Sequence, residues 1–258
     1  MTRDLVLGAT GDIGQELLDR LDDPLGIGRS QPDTEEAAML RADATEQLPV
    51  DLSAFDTVYH AATLNSYGHP ADAVDSPDVE GTRQLVEDLQ DVEPDERPGL
   101  VYVSSAAAVE SEPGFDGAID YAEAKAAGEQ LADRYEDASI VRLGTVYGDG
   151  KGTISYFFSC AESGDDLNIY GDGEQLRSFV HLDDAVDAIT DAPSYGDLEV
   201  AEGTYSLNQV ADSFEAAADI GRQYDRDQPT EDVTLSGDWQ QYDTERTLDD
   251  YISDKLQD

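Results

Sequence analysis

The sequence is short of cations. Twelve arginines and three lysines stand against 59 aspartates and glutamates, a formal charge of -44 over 258 residues. The acidic residues are spread along the whole chain, so the excess belongs to the folded surface. No run of Lys and Arg is present to hold nucleic-acid phosphates or an anionic membrane, and the overall field repels both. Self-repulsion of this size costs compact-state stability unless it is screened, and the Debye length falls to about 3 Å at molar salt. The composition predicts a halophile's salt-filled cytoplasm.

Cysteine is almost absent too. Cys160 stands alone, which excludes an intrachain disulfide framework. There is no run of 18 apolar residues and no signal-peptide core at the N-terminus, so a cytoplasmic, soluble chain is expected. The three histidines, His60, His69 and His181, lack ligand spacing, and no metal is expected. High charge is one mark of disorder, but 39% apolar residues in periodic runs argue for a folded core.

Short apolar runs at residues 4–8, 25–27, 39–40, 57–62, 100–103 and 139–143 read as strands. Segments of helical spacing, such as 13–21 and 82–89, lie between them. Residues 91–98, rich in Pro and Asp, read as a surface loop. This alternation predicts an α/β fold, a Rossmann-like doubly wound parallel sheet with ligands at the carboxyl ends of its strands. The length suits one core with appended pieces. After residue 150 the alternation loosens into a stretch rich in Gly and Tyr, then a helix at 183–190. An irregular acidic tail follows, with a last amphipathic segment at 248–256.

Gly8-Ala9-Thr10-Gly11-Asp12-Ile13-Gly14 lies between the first strand and the first helix. Glycines there permit a tight turn and let backbone approach a pyrophosphate held at the helix N-terminus. Gly8, Thr10, Gly11, Asp12, Ile13 and Gly14 are therefore candidate dinucleotide-binding residues. At the end of the second strand an NAD enzyme carries an acidic residue for the adenosine ribose, whereas this chain has Gly28-Arg29-Ser30. Arg29 beside the Ser30 hydroxyl suits a 2′-phosphate, because guanidinium pairs with phosphate in a bidentate fork. NADP is thus the expected cofactor, with NAD as the alternative. In the alternative, Asp43, followed by Ala44 after the third strand, faces the adenine instead.

Tyr121 and Lys125 are four apart on a helix and share a face. A phenol is a poor base at neutral pH, but a cation one turn away favours its ionised form. Ser104-Ser105 closes the strand at 100–103. A hydroxyl there can hold a substrate oxygen where hydride transfer is possible, and Ser105 is the candidate.

With these motifs in this order, residues 4–190 resemble the extended short-chain dehydrogenase/reductases, specifically the NAD-dependent epimerase/dehydratase family. Supporting segments are His60-Ala61-Ala62, Gly81-Thr82, Arg142 to Gly148, Tyr170 to Gly173, and Arg177 to Asp184. The resemblance implies that His60, Ala61 and Ala62 line the nicotinamide ribose and that Lys125 holds that ribose beside Tyr121. It further implies that Arg177 contacts the diphosphate of a nucleotide-sugar, with Thr63 and Ser105 on the substrate, and that helices beside Tyr121 can form a homodimer. Residues 1–150 would then be the dinucleotide-binding core. Residues 151–258 would be a small C-terminal substrate-binding region, with about 174–192 returning to the core.

The chain departs from the family in four places. Family dehydratases carry Asp and Glu directly after the catalytic hydroxyl residue, where this chain has Ala106-Ala107-Ala108; Glu110 and Glu112 follow downstream. The spacing from Ser105 to Tyr121 is short, Asp78 stands where the family often shows Asn, and the C-terminal region is too short to match well. The reading that follows is hydride transfer at a sugar or nucleotide-sugar with Tyr121 as acid and base, in a dehydrogenase, a reductase or an epimerase. A non-catalytic NAD(P)-binding regulatory protein would use the same fold, but Ser105, Tyr121 and Lys125 together argue against it. Exchanging Arg29 for Asp should weaken NADPH binding more than NADH binding. An unchanged affinity ratio would remove the 2′-phosphate clamp.

Overall fold

The computed structural model describes residues 3–30, 38–63, 70–148, 152–228 and 230–256. The chain forms two compact units, one of Met1–Arg142 with Val186–Leu198, the other of Leu143–Ala185 with Glu199–Asp258. The return to the first unit begins at Val186, later than the position near 174 expected from the sequence.

The first unit alternates strand and helix. It runs β1 (Asp4–Leu7), α1 (Asp12–Arg20), β2 (Leu25–Gly28), β3 (Ala38–Arg41), β4 (Thr57–His60), α2 (Thr82–Asp91), β5 (Gly99–Ser105), α3 (Tyr121–Ala132) and β6 (Ala138–Leu143). The sheet order is β3-β2-β1-β4-β5-β6, and every pair from β3 to β5 is parallel. Leu5, Val6 and Leu7 are all buried, as expected of a strand covered on both faces. The strand order reverses between β1 and β4, and in such sheets the crevice for a ligand opens outside the carboxyl ends at that point. Gly8, His60 and Ser105 end or follow the three strands concerned.

The helices cover this sheet with narrow apolar stripes. Thr82, Leu85, Val86 and Leu89 form the buried face of α2 at the spacing of a core-facing helix. In α3, Ala124, Ala127 and Leu131 pack with Val79 and Ile119. Among the described residues no helix is long and apolar enough to cross a membrane.

The second unit has its own core, so the expectation of one core with appended pieces gives way to two. Its elements are β7 (Thr145–Tyr147), α4 (Thr153–Ser163), β8 (Leu167–Tyr170), β9 (Leu176–His181) and the start of α5 (Leu182–Tyr195), then most of β10 (Leu198–Val200), β11 (Gly203–Ser206), α6 (Leu207–Ala217), β12 (Arg222–Asp225) and α7 (Leu248–Lys255). Phe157, Phe179, Phe214, Val210 and Ile252 are buried together, with Phe157 and Phe214 edge to face at 5.5 Å. The expected irregular tail is therefore corrected: residues 207–217 are helix. Leu207, Val210, Ala211 and Phe214 have helical spacing, and a capping box between Ser206 and Gln209 starts the helix. The Asp, Glu and Gly residues just before it concealed that pattern.

Glu199 fastens the polypeptide of this unit. The residue is fully buried. Its carboxylate accepts hydrogen bonds from Ser236 N at 3.2 Å, Ser236 Oγ at 2.5 Å, Gly237 N at 2.6 Å and Gln241 Nε2 at 2.8 Å. Burial acts to raise its pKa, but the donors outweigh it and hold the carboxyl below its usual range. A depressed folded value means that the stabilisation is complete above the unfolded pKa and fades as pH falls through the folded one. Glu199→Gln turns an acceptor into a donor among donors. It should cost about 1–3 kcal/mol at neutral pH, measured by urea unfolding in molar KCl. The gap to the unaltered protein should close on acidification, and equal midpoints at pH 7 would show that the four bonds contribute nothing net.

Candidate active site

The turn from β1 to α1 is built of close backbone contacts. Gly11 N donates to Gly8 O at 3.0 Å, and Gly8 N and Ala9 N donate to Ile27 O. A Cβ on Gly14 would lie 2.2 Å from Gly8 O, and one on Gly8 would lie 2.5 Å from Ala62 N, so neither position tolerates a side chain. Gly11 caps α1 without a side-chain hydrogen bond, which leaves first-turn amides for an anion. This cradle fits a dinucleotide pyrophosphate. Asp12 is exposed, and its carboxylate has the wrong charge for that ligand, so its backbone is the part that suits the site. Ile13 follows it in the first turn, and Thr10 packs on Gly28 at the end of β2.

Arg29 and Ser30 are both exposed just beyond β2. Asp43 makes a local turn, its Oδ1 accepting from Thr45 N at 3.1 Å and Thr45 Oγ1 at 3.0 Å. Ala44 lies against Gly81, whose Cβ would meet its carbonyl oxygen at 2.9 Å.

Ser105, Tyr121 and Lys125 come together at the carboxyl end of β5. An Asp120–Glu123 capping box, with both bonds at 2.9 Å, starts α3 and fixes Tyr121 as its first residue. The Ser105 hydroxyl hydrogen-bonds the Tyr121 phenol and also accepts from Ala107 N at 3.2 Å. Lys125 is buried, donates to Val103 O at 2.7 Å, and lies 5.9 Å from the Tyr121 ring centre.

Asp78 sits between these groups and β4. It belongs to a wide helical turn, Pro77–Gly81, in which Gly81 N reaches back five residues to Ser76 O at 3.3 Å; turns of this width recur at functional sites. Its Oδ1 is 2.9 Å from Lys125 Nζ and accepts from Tyr102 OH at 2.9 Å, while Oδ2 accepts from Thr63 at 2.8 Å. Gly128 makes room for this arrangement, since a Cβ there would sit 2.0 Å from the Tyr102 oxygen.

Lys125 was expected to lower the Tyr121 pKa, and here the structure differs. Burial pushes the phenol up to about 12, the Asp78 carboxylate adds to the rise, and the Ser105 hydrogen bond opposes it. Burial is the larger reason, and Lys125 has its own carboxylate at ion-pair distance. Below that pair, Ser104 donates to Glu129 at 2.6 Å, and Arg142 binds Glu129 through two bonds of 2.8 and 2.7 Å.

His60 is fully buried, with Nε2 3.2 Å from Pro77 O and its ring edge-on to Tyr102. Burial takes its pKa down to about 4, so the ring is neutral and Nε2 carries the proton. Its Nδ1 is a buried nitrogen without a hydrogen-bond partner. Ala61 N donates to Leu7 O at 3.0 Å, which seats His60-Ala61-Ala62 beside the glycine turn. Among the described residues no cluster of His, Cys, Asp and Glu is arranged to hold a metal, and His69 lies outside them.

Within the second unit, a cavity of about 640 Å³ is lined by Thr153, Tyr156, Asn168, Tyr170, Gln175 and Arg177, among others. Arg177 donates to Leu176 O at 3.1 Å and to Glu231 O. Gln175 Nε2 donates to Tyr170 O at 2.9 Å. Gln175 Oε1 is buried without a hydrogen-bond partner.

Residues 5–205 match the NAD dependent epimerase/dehydratase family. Among curated proteins, the chain is 28% identical over 230 residues to a UDP-glucose 4-epimerase of Mycolicibacterium smegmatis, covering 74% of this chain and 72% of that protein. It is 25% identical over 244 residues to a dTDP-4-dehydro-6-deoxy-D-allose reductase of a Streptomyces species, covering 76% and 75%. Among solved structures, the UDP-glucuronic acid 4-epimerase of Bacillus cereus, in complex with UDP-glucuronic acid and NAD, superposes with a TM-score of 0.77 at 20% identity over 99% of both chains.

Sequence reasoning registered Asp78 as a departure but gave it no task, and it missed Tyr102 and the cavity side chains beside Arg177. A Tyr inside an apolar strand carries no local signal, because its partner lies 24 positions away. The glycine turn yields the direct test. Gly14→Ala should abolish detectable NAD(P) binding by calorimetry while circular dichroism still reports a folded chain. Undiminished affinity would show that this backbone approach is not what admits the cofactor.

Proposed function

The chain belongs to the NAD dependent epimerase/dehydratase family, and from that premise we propose that it is an NAD(P)-dependent epimerase or reductase acting on a nucleotide-sugar. The observation that carries this reading is the Ser105–Tyr121 hydrogen bond, with Lys125 one helical turn on, at the end of a strand beside the glycine cradle. When bound, the nicotinamide takes or gives the hydride. Ser105 then orients the substrate oxygen, and Tyr121 moves the proton at that same oxygen. Buried Lys125 holds its place through Val103 and Asp78. The exposed Arg29–Ser30 pair at the end of β2 supports NADP, whereas the family description supports NAD.

For the substrate, Arg177 and the tyrosines of the cavity suit a nucleoside diphosphate, a guanidinium for the phosphates and aromatic rings for the base. The relatives named as a UDP-glucose epimerase and a dTDP-deoxysugar reductase support that class. Dehydration is disfavoured, since Ala106–Ala108 supply no carboxylate, and Glu110 and Glu112 are exposed downstream.

The test begins with protein purified in molar KCl, denatured, and assayed for released dinucleotide by mass spectrometry. A stoichiometric cofactor favours an epimerase, which returns the hydride. An empty protein that binds NADPH or NADH reversibly favours a reductase, and UDP- and dTDP-sugars are then screened for turnover. Tyr121→Phe should lose turnover by about 10²-fold or more while cofactor affinity holds. Full turnover in that variant would end the catalytic assignment.

A further inference from the structure

The proton group and the buried ion pair beneath it are coupled. Asp78 is completely buried and Lys125 nearly so, at 0% and 2% exposure. An isolated buried charge of either sign is very costly, so each is the counter-charge of the other. Tyr102 and Thr63 satisfy the remaining carboxylate positions, and Val103 O takes a further ammonium proton. With the ammonium paired at 2.9 Å, Lys125 has little charge left to favour the Tyr121 phenolate, and the Asp78 carboxylate itself disfavours it. Resting on the reading of Tyr121 as the proton-transferring group, we infer that Asp78 is a positioning residue that offsets the Lys125 charge, so that this cation does not drive Tyr121 to its phenolate.

The groups around Tyr121 agree. From its own helix comes Lys125, and from the Pro77–Gly81 turn comes Asp78. From β5 come the Ser105 hydroxyl and Tyr102, whose phenol is itself pushed far up by burial and by Asp78. From β4 comes His60, neutral above about pH 4. Glu129, further along α3, is held by Arg142. A phenol raised to about 12 is protonated throughout the neutral range. In that state the Tyr121 O–H bond breaks towards a carbonyl oxygen as the carbonyl carbon accepts hydride from a reduced nicotinamide. A new O–H bond forms on the substrate, and the negative charge remains on the Tyr121 oxygen until a solvent proton restores it.

Titrating Tyr121 tests the coupling without any substrate. The tyrosinate ultraviolet signal is followed against pH in molar KCl, and the signal of the matching Tyr121→Phe protein is subtracted. In the unaltered protein, Tyr121 should titrate near the alkaline limit. Asp78→Asn leaves Lys125 uncancelled, so the titration should fall by about one to three pH units. The double variant Asp78→Asn with Lys125→Met has no buried charge and should titrate close to the unaltered protein, which also serves if Asp78→Asn alone fails to fold. An unmoved titration in Asp78→Asn, or a large drop in the double variant, would overturn the inference. Retained turnover in Tyr121→Phe would instead defeat the functional reading and leave the titration result standing.

Discussion

The first unit depends on backbone meeting backbone at the end of β1. Gly8 touches Ala62, Gly14 touches Gly8 O, and Gly11 closes the turn between them. This contact fixes where α1 starts and keeps its first amides clear of side chains. It also seats the segment after β4 beside the turn that follows β1. The strand order reverses between those two strands, so the contact sets the floor of the crevice proposed for a dinucleotide. A single methyl group at Gly14 would enter that floor. The sheet alone does not make the site; the absence of two side chains does.

The scarcity of cations gives several of them a definite task, Lys125 buried and the others partly exposed. Lys125 meets Asp78, Arg142 meets Glu129 in a fork, and in the second unit Arg222 meets Glu215 and Asp212, while Arg246 meets Asp184. Surface ion pairs contribute little, and molar salt screens them further. Buried pairs are shielded from that screening, and their cost shows when one partner is removed. A chain with 59 acidic residues has no shortage of carboxylates. Lys125 and Arg142 therefore mark where geometry, not general attraction, chose the partner.

The strands and helices of the first unit were legible because their signals are local. Apolar runs ending in glycine, the spacing of Leu85, Val86 and Leu89, and the four-residue step from Tyr121 to Lys125 all lie within one element. The second unit was read less well. The helix from Leu207 to Ala217 has its period and its capping box, yet it stands among Asp, Glu and Gly that resemble a loop. The site was legible as a set of residue types and illegible as an electrostatic balance. Tyr121 and Lys125 on one face suggested a lowered phenol, and only the fold shows that Asp78, 47 positions before Lys125 in the chain, already occupies the ammonium.

The three alanines after Ser105 limit the chemistry by packing as well as by what they lack. Ala106 and Ala108 are 3% and 5% exposed in a tight turn that Ser105 itself caps. A carboxylate at Ala106, directly after Ser105, would be buried, and Lys125 and Arg142 are already engaged with their own carboxylates, whereas Ala107, the next position, is half-buried. Such a buried, unpaired charge is either strongly destabilising or held neutral. Adding a carboxylate at Ala106 would thus require this turn to be repacked and a counter-charge to be supplied. On the proposed reading, the turn leaves Tyr121 as the proton-transferring group beside the Ser105 hydroxyl, a pair that suffices for hydride exchange at a single carbon.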